Sequence, residues 1–155
     1  MKVIFWFGVL VIVFGGIAGY QLMHFRGNLD SSVVAAPPTA RVSLGGATLD
    51  VFVADTPQEQ KQGLGGREAL LPDQGMLFVF PESGMHTFWM KDMHFSIDIL
   101  WIGEDGTIVS TLSSVSPETY PKVFAPKQPA RYVLETNAGF VAEHDIREGD
   151  IVYFK

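Results

Sequence analysis

The residues best suited to chemistry lie in one apolar stretch, residues 75–102, where carboxylates and two histidines stand among aromatic residues and methionines. Alternate residues of a strand share a face, so Asp92, His94 and Asp98 would project from one side, with successive even positions about 6.6 Å apart. One imidazole with two carboxylates suits a divalent cation such as Mn, Fe or Zn. The polar face of an ordinary amphipathic strand has the same pattern. Because no ligand spacing here is diagnostic, we favour that interpretation over a metal site.

Asp98 also stands out on its own, because it lies between Ile97 and Ile99 in the least polar run of the domain. A buried carboxylate is costly unless it is paired and hydrogen-bonded. One interpretation gathers several embedded charges and a tryptophan around a small ligand-binding cleft, whose predicted residues are Arg67, Trp89, Lys91, Asp98 and Glu135. The other interpretation makes these charges structural, with carboxylates that tie down turns and backbone amides.

Three functions are compatible with these residues. The leading hypothesis is a binding module whose cleft recognises a small molecule, a peptide or an envelope protein, since the charges are embedded in aromatic motifs without an assembled catalytic constellation. The first alternative is a metal-assisted or carboxylate acid/base hydrolase that uses Asp98, Asp92 and His94. The second is a structural envelope-assembly protein, with the proline-rich loop from Ser113 to Pro129 as its contact surface. No motif specifies a cofactor, and the sequence does not decide whether the protein is an enzyme.

Composition excludes several classes of site and argues weakly against one class of partner. The chain has no cysteine, which excludes disulfides, zinc–thiolate sites and cysteine nucleophiles. The net charge of −6 and the lack of a lysine and arginine cluster argue against a nucleic-acid partner. The glycines at positions 63, 65 and 66 are not followed by the Lys-Ser or Lys-Thr pair of a phosphate-binding loop.

Residues 3–23 are the clearest targeting signal, because they contain no charge. At a rise of about 1.5 Å per residue, a helix of this length crosses a hydrocarbon core of about 30 Å. We therefore predict that residues 1–26 form a signal anchor in the inner or plasma membrane, with the N-terminus in the cytoplasm and the domain on the outer side. The alternative is a cleaved signal peptide with its peptidase site near Gly16-Ile17-Ala18, which would leave a secreted or periplasmic domain.

The remainder of the chain divides into a tether and one domain. Residues 27–40 are rich in small residues and contain Pro37-Pro38, which predicts a flexible tether. In residues 41–155 many short apolar runs alternate with glycine and proline turns. This pattern predicts a single mainly β (α+β) domain, either a small β-barrel or a rolled antiparallel sheet, with one or two short helices.

Local patterns place some elements of that domain. Thr56 and Glu59 have the spacing of a capping box, which starts a short helix that the following glycines end. The strand that begins at Met76 is expected to end at Pro81. Residues 97–102 are nearly continuous in apolar residues, as in a strand that is covered on both faces.

Five motifs in order give the domain a family resemblance. They are GLGGRE (residues 63–68), GMLFVF (75–80), FWMKDM (88–93), IDILWI (97–102) and YVLETNAGF (132–140). Together with the glycine-aspartate turn at residues 149–150, they resemble the prokaryotic family known as domain of unknown function 192, over essentially all of residues 41–155. The resemblance implies a small β-rich single domain that is often exported, and it implies no activity.

Overall fold

A computed structural model describes residues 37–155, so the predicted signal anchor or signal peptide lies outside the described residues. Within residues 37–155 the elements follow in the order β1 (Ala40–Leu44), β2 (Ala47–Ala54), α1 (Pro57–Gln62), β3 (Gln74–Gly84), β4 (Phe88–Trp89), β5 (Ile97–Ile102), β6 (Ile108–Val115), a 3-10 turn (Pro117–Thr119), β7 (Val123–Phe124), β8 (Ala130–Asn137), α2 (Phe140–Glu143) and β9 (Tyr153–Phe154). In this part of the chain, no helix has both the length and the apolar character needed to span a membrane.

Seven strands form one curled half-barrel sheet in the order β6-β5-β8-β3-β2-β1-β9, while β4 and β7 pair as a separate two-stranded ribbon. The predicted mainly β domain with a rolled sheet and two short helices is thereby confirmed. The pairings are antiparallel except that β2 and β3 run parallel, from Asp50 opposite Gln74 to Ala54 opposite Phe78. The expectation of a wholly antiparallel sheet is wrong at this pair, because the connection through α1 is a crossover that starts β3 in the direction of β2.

The first and last strands of the described residues lie next to each other. β9 pairs antiparallel with β1, and the backbones of Arg41 and Lys155 exchange hydrogen bonds beside this pair. Just before β9, the carbonyl oxygen of Asp150 accepts a hydrogen bond from the N–H of Ile108 at 2.9 Å. The C-terminal segment therefore contacts strands at both edges of the sheet and helps to curl it.

Each face of the sheet packs into its own hydrophobic core, because successive side chains of a strand point to opposite faces. In β5, Ile99 and Trp101 point to one face, whereas Leu100 and Ile102 point to the other. The core on the first face, here called the aromatic core, is formed by Phe52, Ala54, Leu64, Leu70, Met76, Phe78, Met90, Ile97, Ile99, Trp101, Val115, Ala130 and Val133. The core on the second face, here called the leucine core, is formed by Val42, Leu44, Leu49, Val51, Leu77, Leu100, Ile102, Ile108, Leu134, Phe140, Val141, Ile146 and Val152.

Helix α1 begins at the predicted capping box. The hydroxyl of Thr56 accepts a hydrogen bond from the N–H of Glu59 at 3.3 Å, and the carboxylate of Glu59 accepts one from the N–H of Thr56 at 3.1 Å. The helix ends at Gly63, whose φ of 52° favours glycine. The side-chain amide of Gln60 donates to the carbonyl oxygen of Val79 at 2.9 Å. This bond fastens the helix to β3.

Replacing Thr56 by alanine is expected to lower the free energy of unfolding by about 1 kcal/mol, because the first turn of α1 loses its side-chain acceptor. Urea denaturation followed by circular dichroism measures the difference. Thr56→Ser keeps the hydroxyl and is the matched control, expected to stay within about 0.5 kcal/mol of the parent protein. An alanine variant as stable as the serine variant would show that the cap contributes nothing.

Strand β3 continues through Pro81 to Gly84, so the prediction that it ends at Pro81 is wrong. The pairing of β3 with β8 shifts register between Val79 and Gly84. Proline cannot donate a ladder hydrogen bond, but it is tolerated at such an irregularity because the ladder is interrupted there. The extension carries the chain past the sheet and toward β4.

The predicted contact loop from Ser113 to Pro129 contains more structure than expected. β6 extends to Val115, and β7 pairs with β4 so that Phe88 lies opposite Phe124. Both strands of this ribbon have two residues, which is too short to produce a recognisable alternation. The ribbon lies on the aromatic-core side of the sheet, since Phe88 and Phe124 pack against that core.

The residues before β5 form a turn and irregular backbone, not a strand. Asp92 has a positive φ of 57°, and its carbonyl oxygen accepts a hydrogen bond from the N–H of Gly66 at 2.8 Å. Strand β5 begins only at Ile97. The alternation expected to place Asp92, His94 and Asp98 on one face is therefore wrong.

Candidate functional site

A cleft of about 390 Å³ opens on the aromatic-core side of the sheet. Residues of β3 and β8 form its base, α1 and the loop after it form one side, and β4 forms the other. The cleft is lined by Gln60, Lys61, Gln62, Gly63, Leu64, Gly65, Phe78, Phe80, Thr87, Phe88, Trp89, Lys91, Met93, Val123 and Glu135. Pockets for small organic molecules span about 300–1,000 Å³, so this volume suits one such molecule.

Glu135 supplies the carboxyl at the base of the cleft. It belongs to β8 inside the sheet, where its neighbours in register are Met76 of β3 and Ile99 of β5. The residue is 5% exposed, and its Oε2 has no hydrogen-bond partner among the described residues. Burial raises the pKa of the Glu135 carboxyl to about 8, because the ionised form loses its hydration. At neutral pH the cleft therefore presents chiefly a protonated carboxyl.

Aromatic rings that pack on one another form the wall of the cleft. Phe88 stands edge-on to Phe78, with ring centroids 4.8 Å apart, and to Phe80 at 6.5 Å. Phe80 stacks on His86 with centroids 3.5 Å apart. The indole N–H of Trp101 donates to the carbonyl oxygen of His86 at 2.8 Å, which anchors the segment that leads into β4. These contacts within the protein hold the aromatic wall in place.

Cations and a half-exposed tryptophan form the mouth of the cleft. Lys61 of α1 and Lys91 after β4 both line it, and Trp89 packs edge-on against Tyr120 with ring centroids 5.8 Å apart. The Nζ of Lys91 lies 4.0 Å from the carboxylate of Asp92, but both groups are exposed and such pairs contribute little. The mouth continues into a second hollow of about 380 Å³ that shares both lysines and Trp89. The cleft is therefore basic at its mouth and carries a carboxyl at its base.

Close packing of two loops places Lys91 at this mouth. A Cβ atom on Gly65 would lie 2.9 Å from the carbonyl oxygen of Gln62 and 3.3 Å from that of Lys91, so a larger residue would require the backbone to move. The neighbouring Gly66 donates its N–H to the carbonyl oxygen of Asp92. The glycines of residues 63–66 thus allow the loop after α1 to approach the loop after β4.

The structure brings together three of the five residues predicted to line a cleft, namely Trp89, Lys91 and Glu135. Arg67 lies over the aromatic core instead, with its guanidinium carbon 3.9 Å from the ring centroid of Phe52. Partial burial lowers the pKa of the Arg67 guanidinium. Phe52 and Glu135 share a face of the sheet but are separated in register by Met76. Arg67 is therefore near the site without lining it.

Asp98 points to the opposite face of the sheet from Glu135, because Ile99 of β5, and not Asp98, pairs with Glu135 in register. The side chain is fully buried. Its carboxylate accepts three backbone hydrogen bonds, from the N–H groups of Ser114 at 2.7 Å, Gly139 at 3.1 Å and Val141 at 2.9 Å. The carboxylate joins β5 to the end of β6 and the start of α2, and the expected grouping of Asp98 with Glu135 is not found.

The three residues considered as metal ligands are also separated. Nδ1 of His94 lies 3.1 Å from a carboxylate oxygen of Glu68, the side chain of Asp92 is 73% exposed, and the carboxylate of Asp98 binds backbone amides. Across residues 37–155, no three histidine, aspartate or glutamate side chains converge in a way that could hold a metal ion. A hydrolase site built on these three residues is thus not assembled in the described part of the chain.

Sequence reasoning missed the aromatic wall and the helical side of the cleft. Phe78, Phe80 and Phe88 stand in apolar runs that are typical of core strands, so their residue types did not mark them as lining a site. Gln60 and Lys61 belong to a helix that was predicted, but a capping pattern does not show which strands a helix covers. The one sequence signal that could have identified an aromatic residue of the cleft is adjacency, since Phe88 directly precedes Trp89, which was predicted to line it.

The chain matches a known protein family over most of its length. The sequence pattern of DUF192, a family described as an uncharacterised ACR, matches residues 40–154. A UPF0127 protein of Thermococcus gammatolerans is 26% identical over 85 residues, which cover 52% of this chain and 51% of that protein. The alignment therefore spans about half the length of this curated relative.

Two crystal structures share the fold. A protein of Sinorhizobium meliloti 1021, described as a candidate transcription regulator, superposes with a TM-score of 0.72 and 34% identity, covering 77% of this chain and 96% of that one. A protein of unknown function from Novosphingobium aromaticivorans superposes with a TM-score of 0.71 and 28% identity, covering 77% and 94%. Both likenesses extend over nearly the whole of the other chain.

Proposed function

Because the chain belongs to the DUF192 family, which has no established activity, we propose a function from the cleft itself: the domain is a binding module that holds one small organic molecule. The molecule would lie between the aromatic wall and the carboxyl of Glu135. The observation that carries this proposal is the Oε2 of Glu135, which is buried in the lining of the cleft without a hydrogen-bond partner among the described residues.

A buried polar atom without a partner costs about 1–3 kcal/mol, so native proteins rarely keep one without a reason. Here the atom belongs to a residue that lines a cleft large enough for a ligand. A ligand donor that reaches the Glu135 carboxyl would offset this cost and contribute to affinity. This favours binding at the cleft over a purely structural role for Glu135.

The same geometry favours binding over acid/base hydrolysis by carboxylates. Such catalysis needs an acid and a base that both reach the substrate. Glu135 is the carboxyl that lines the cleft, while Asp98 lies on the opposite face of the sheet and Asp92 is exposed beside Lys91. One carboxyl in an aromatic cleft suits recognition of a ligand.

Native mass spectrometry of the full-length protein, purified in mild detergent without chelator, tests this proposal. We expect an added mass of one small molecule on the wild-type protein. Glu135→Leu replaces the polar base of the cleft with an apolar side chain and is expected to lose that mass. Glu68→Gln removes an exposed carboxylate outside the cleft and is the matched control, expected to retain it. If the wild-type protein carries no added mass, and no compound of a metabolite library raises its Tm, the proposal is wrong.

We further propose that residues 3–23 place the domain on the outer side of the membrane, on the support of their uncharged sequence. Proteinase added to intact spheroplasts is then expected to degrade the domain, while a cytoplasmic marker protein survives. An anchored protein sediments with membranes, whereas cleavage of a signal peptide would leave a shorter soluble domain outside the cytoplasm. A domain protected from proteinase until the membrane is lysed would contradict the proposal.

A further inference from the structure

We propose that the molecule held in the cleft is a zwitterion: a protonated amine donates to the carboxylate of Glu135, an apolar body lies along the aromatic wall, and an anionic group faces the lysines at the mouth. This inference rests on the proposed binding function and adds the chemical class of the ligand.

Two carboxyls are buried on adjacent strands, and they differ in the hydrogen bonds that they accept. Asp98 of β5 accepts three backbone hydrogen bonds, whereas Glu135 of β8 has an oxygen without any partner in the described residues. The fold can therefore supply donors to a buried carboxylate where that carboxylate joins its elements. At Glu135 the described residues supply no such donor, and we infer that the ligand supplies it.

The surroundings of Glu135 favour a cation as that donor. None of the ion pairs within residues 37–155 includes Glu135. Its neighbours in register, Met76 and Ile99, are apolar, and the charged side chains that line the cleft with it, Lys61 and Lys91, stand on α1 and after β4. A protonated amine brings both N–H donors and the missing counter-charge, and aromatic ring faces attract cations as well.

The positive charge at the mouth of the cleft favours a ligand that also carries a negative group. Lys61 and Lys91 line the mouth, where the second hollow adjoins it. Asp92 lines the second hollow beside Lys91 and offsets one of these charges, so the mouth keeps a net positive charge that would repel a ligand whose only charge is an amine. A carboxylate or phosphate at the outer end of the ligand would turn this repulsion into attraction, so a zwitterion matches both ends of the cleft.

A hydroxyl group on the ligand could also donate to Glu135, but the number of protons released on binding would differ. Since burial raises the pKa of the carboxyl to about 8, Glu135 is protonated in the empty cleft at neutral pH. When an ammonium group binds, the carboxyl loses its proton to solvent and becomes the carboxylate partner of the ammonium, so about one proton is released for each molecule bound. A neutral hydroxyl binds the protonated carboxyl and releases none.

Three probes of one shape separate these possibilities: 4-(aminomethyl)benzoate, 4-(hydroxymethyl)benzoate, which has a hydroxyl in place of the amine, and benzylamine, which lacks the carboxylate. Isothermal titration calorimetry on the full-length protein, in two buffers with different heats of ionisation, measures both affinity and proton release. We expect 4-(aminomethyl)benzoate to bind at least about tenfold more tightly than the hydroxyl probe at pH 7.5, which corresponds to about 1.4 kcal/mol. Its affinity should rise about tenfold from pH 6 to pH 7, because the fraction of ionised Glu135 rises by that factor.

Two variants test which residue of the protein contacts each end of the ligand. Glu135→Gln cannot ionise, so it should lose the preference for the amine over the hydroxyl probe and the pH dependence of binding. Lys91→Gln should weaken 4-(aminomethyl)benzoate while leaving benzylamine unchanged or slightly tighter. Equal binding of amine and hydroxyl probes by the wild-type protein, binding without proton release, or no binding of any probe would overturn the inference. If native mass spectrometry nevertheless finds a bound molecule, the binding function stands and only the zwitterion is wrong.

Discussion

Replacing Asp98 by alanine is expected to lower the free energy of unfolding by about 3–5 kcal/mol, because three backbone N–H groups lose the buried carboxylate that is their shared acceptor. Domains of this size are stable by roughly 5–15 kcal/mol, so the loss is a large part of the total. The affected donors hold the end of β6 and the start of α2 against β5. Urea denaturation of the variant and the parent protein measures the difference.

Asp73→Ala is the matched control for this experiment. It removes an exposed aspartate in the turn before β3, and its unfolding free energy should change by no more than about 0.5 kcal/mol. Asp98→Asn keeps one acceptor oxygen and is expected to lie between the alanine variant and the parent. If Asp98→Ala costs no more than Asp73→Ala, the carboxylate does not stabilise these three segments.

The second large effect concerns Glu135 and pH. Burial raises the pKa of this carboxyl from its ordinary 4.5 to about 8, so between these values the native protein holds a proton that the unfolded chain has released. The free energy of unfolding must therefore fall as pH rises from about 4.5 to about 8. At 1.36 kcal/mol for each unit of pKa difference, the loss contributed by Glu135 reaches about 3 kcal/mol at pH 7.

The Glu135→Gln variant isolates this contribution, because glutamine does not titrate. We expect wild-type stability, measured by urea denaturation at pH 5, 6, 7 and 8, to decline relative to Glu135→Gln with each step. The comparison cancels groups common to both proteins, such as Glu59 and Glu148, whose lowered pKa values act mainly below about pH 4.5. Parallel profiles for the two proteins would show that Glu135 ionises in the folded state as readily as in water.

Local sequence patterns predicted several elements because each of these patterns is satisfied within a few residues. The capping box of Thr56 and Glu59 starts α1 as expected, and the apolar run of residues 97–102 is β5, buried on both faces. The parallel pairing of β2 with β3 was missed, since antiparallel neighbours are the expectation for short strands without a long helix. The continuation of β3 through Pro81 depends on a register shift against β8, which no local pattern reveals.

The residues predicted to line a cleft come together only in part, for a similar reason. Trp89, Lys91 and Glu135 do line one cleft, but Asp98 points away from it. Alternation along a strand says which residues share a face only within that strand. Whether Asp98 or Ile99 lies beside Glu135 depends on the register between β5 and β8, and a shift of one residue exchanges the faces. The sequence carries no local signal for that register.

The pairing of β1 with β9 has a consequence for engineering. Because the backbones of Arg41 and Lys155 are hydrogen-bonded to each other, the two points where the polypeptide enters and leaves the fold are neighbours. A short linker could join them, and a new start could be opened at the exposed turn of Glu104 and Asp105, which do not line the cleft. The same adjacency would let the whole domain be spliced into a surface loop of a carrier protein without separating the two ends of that loop.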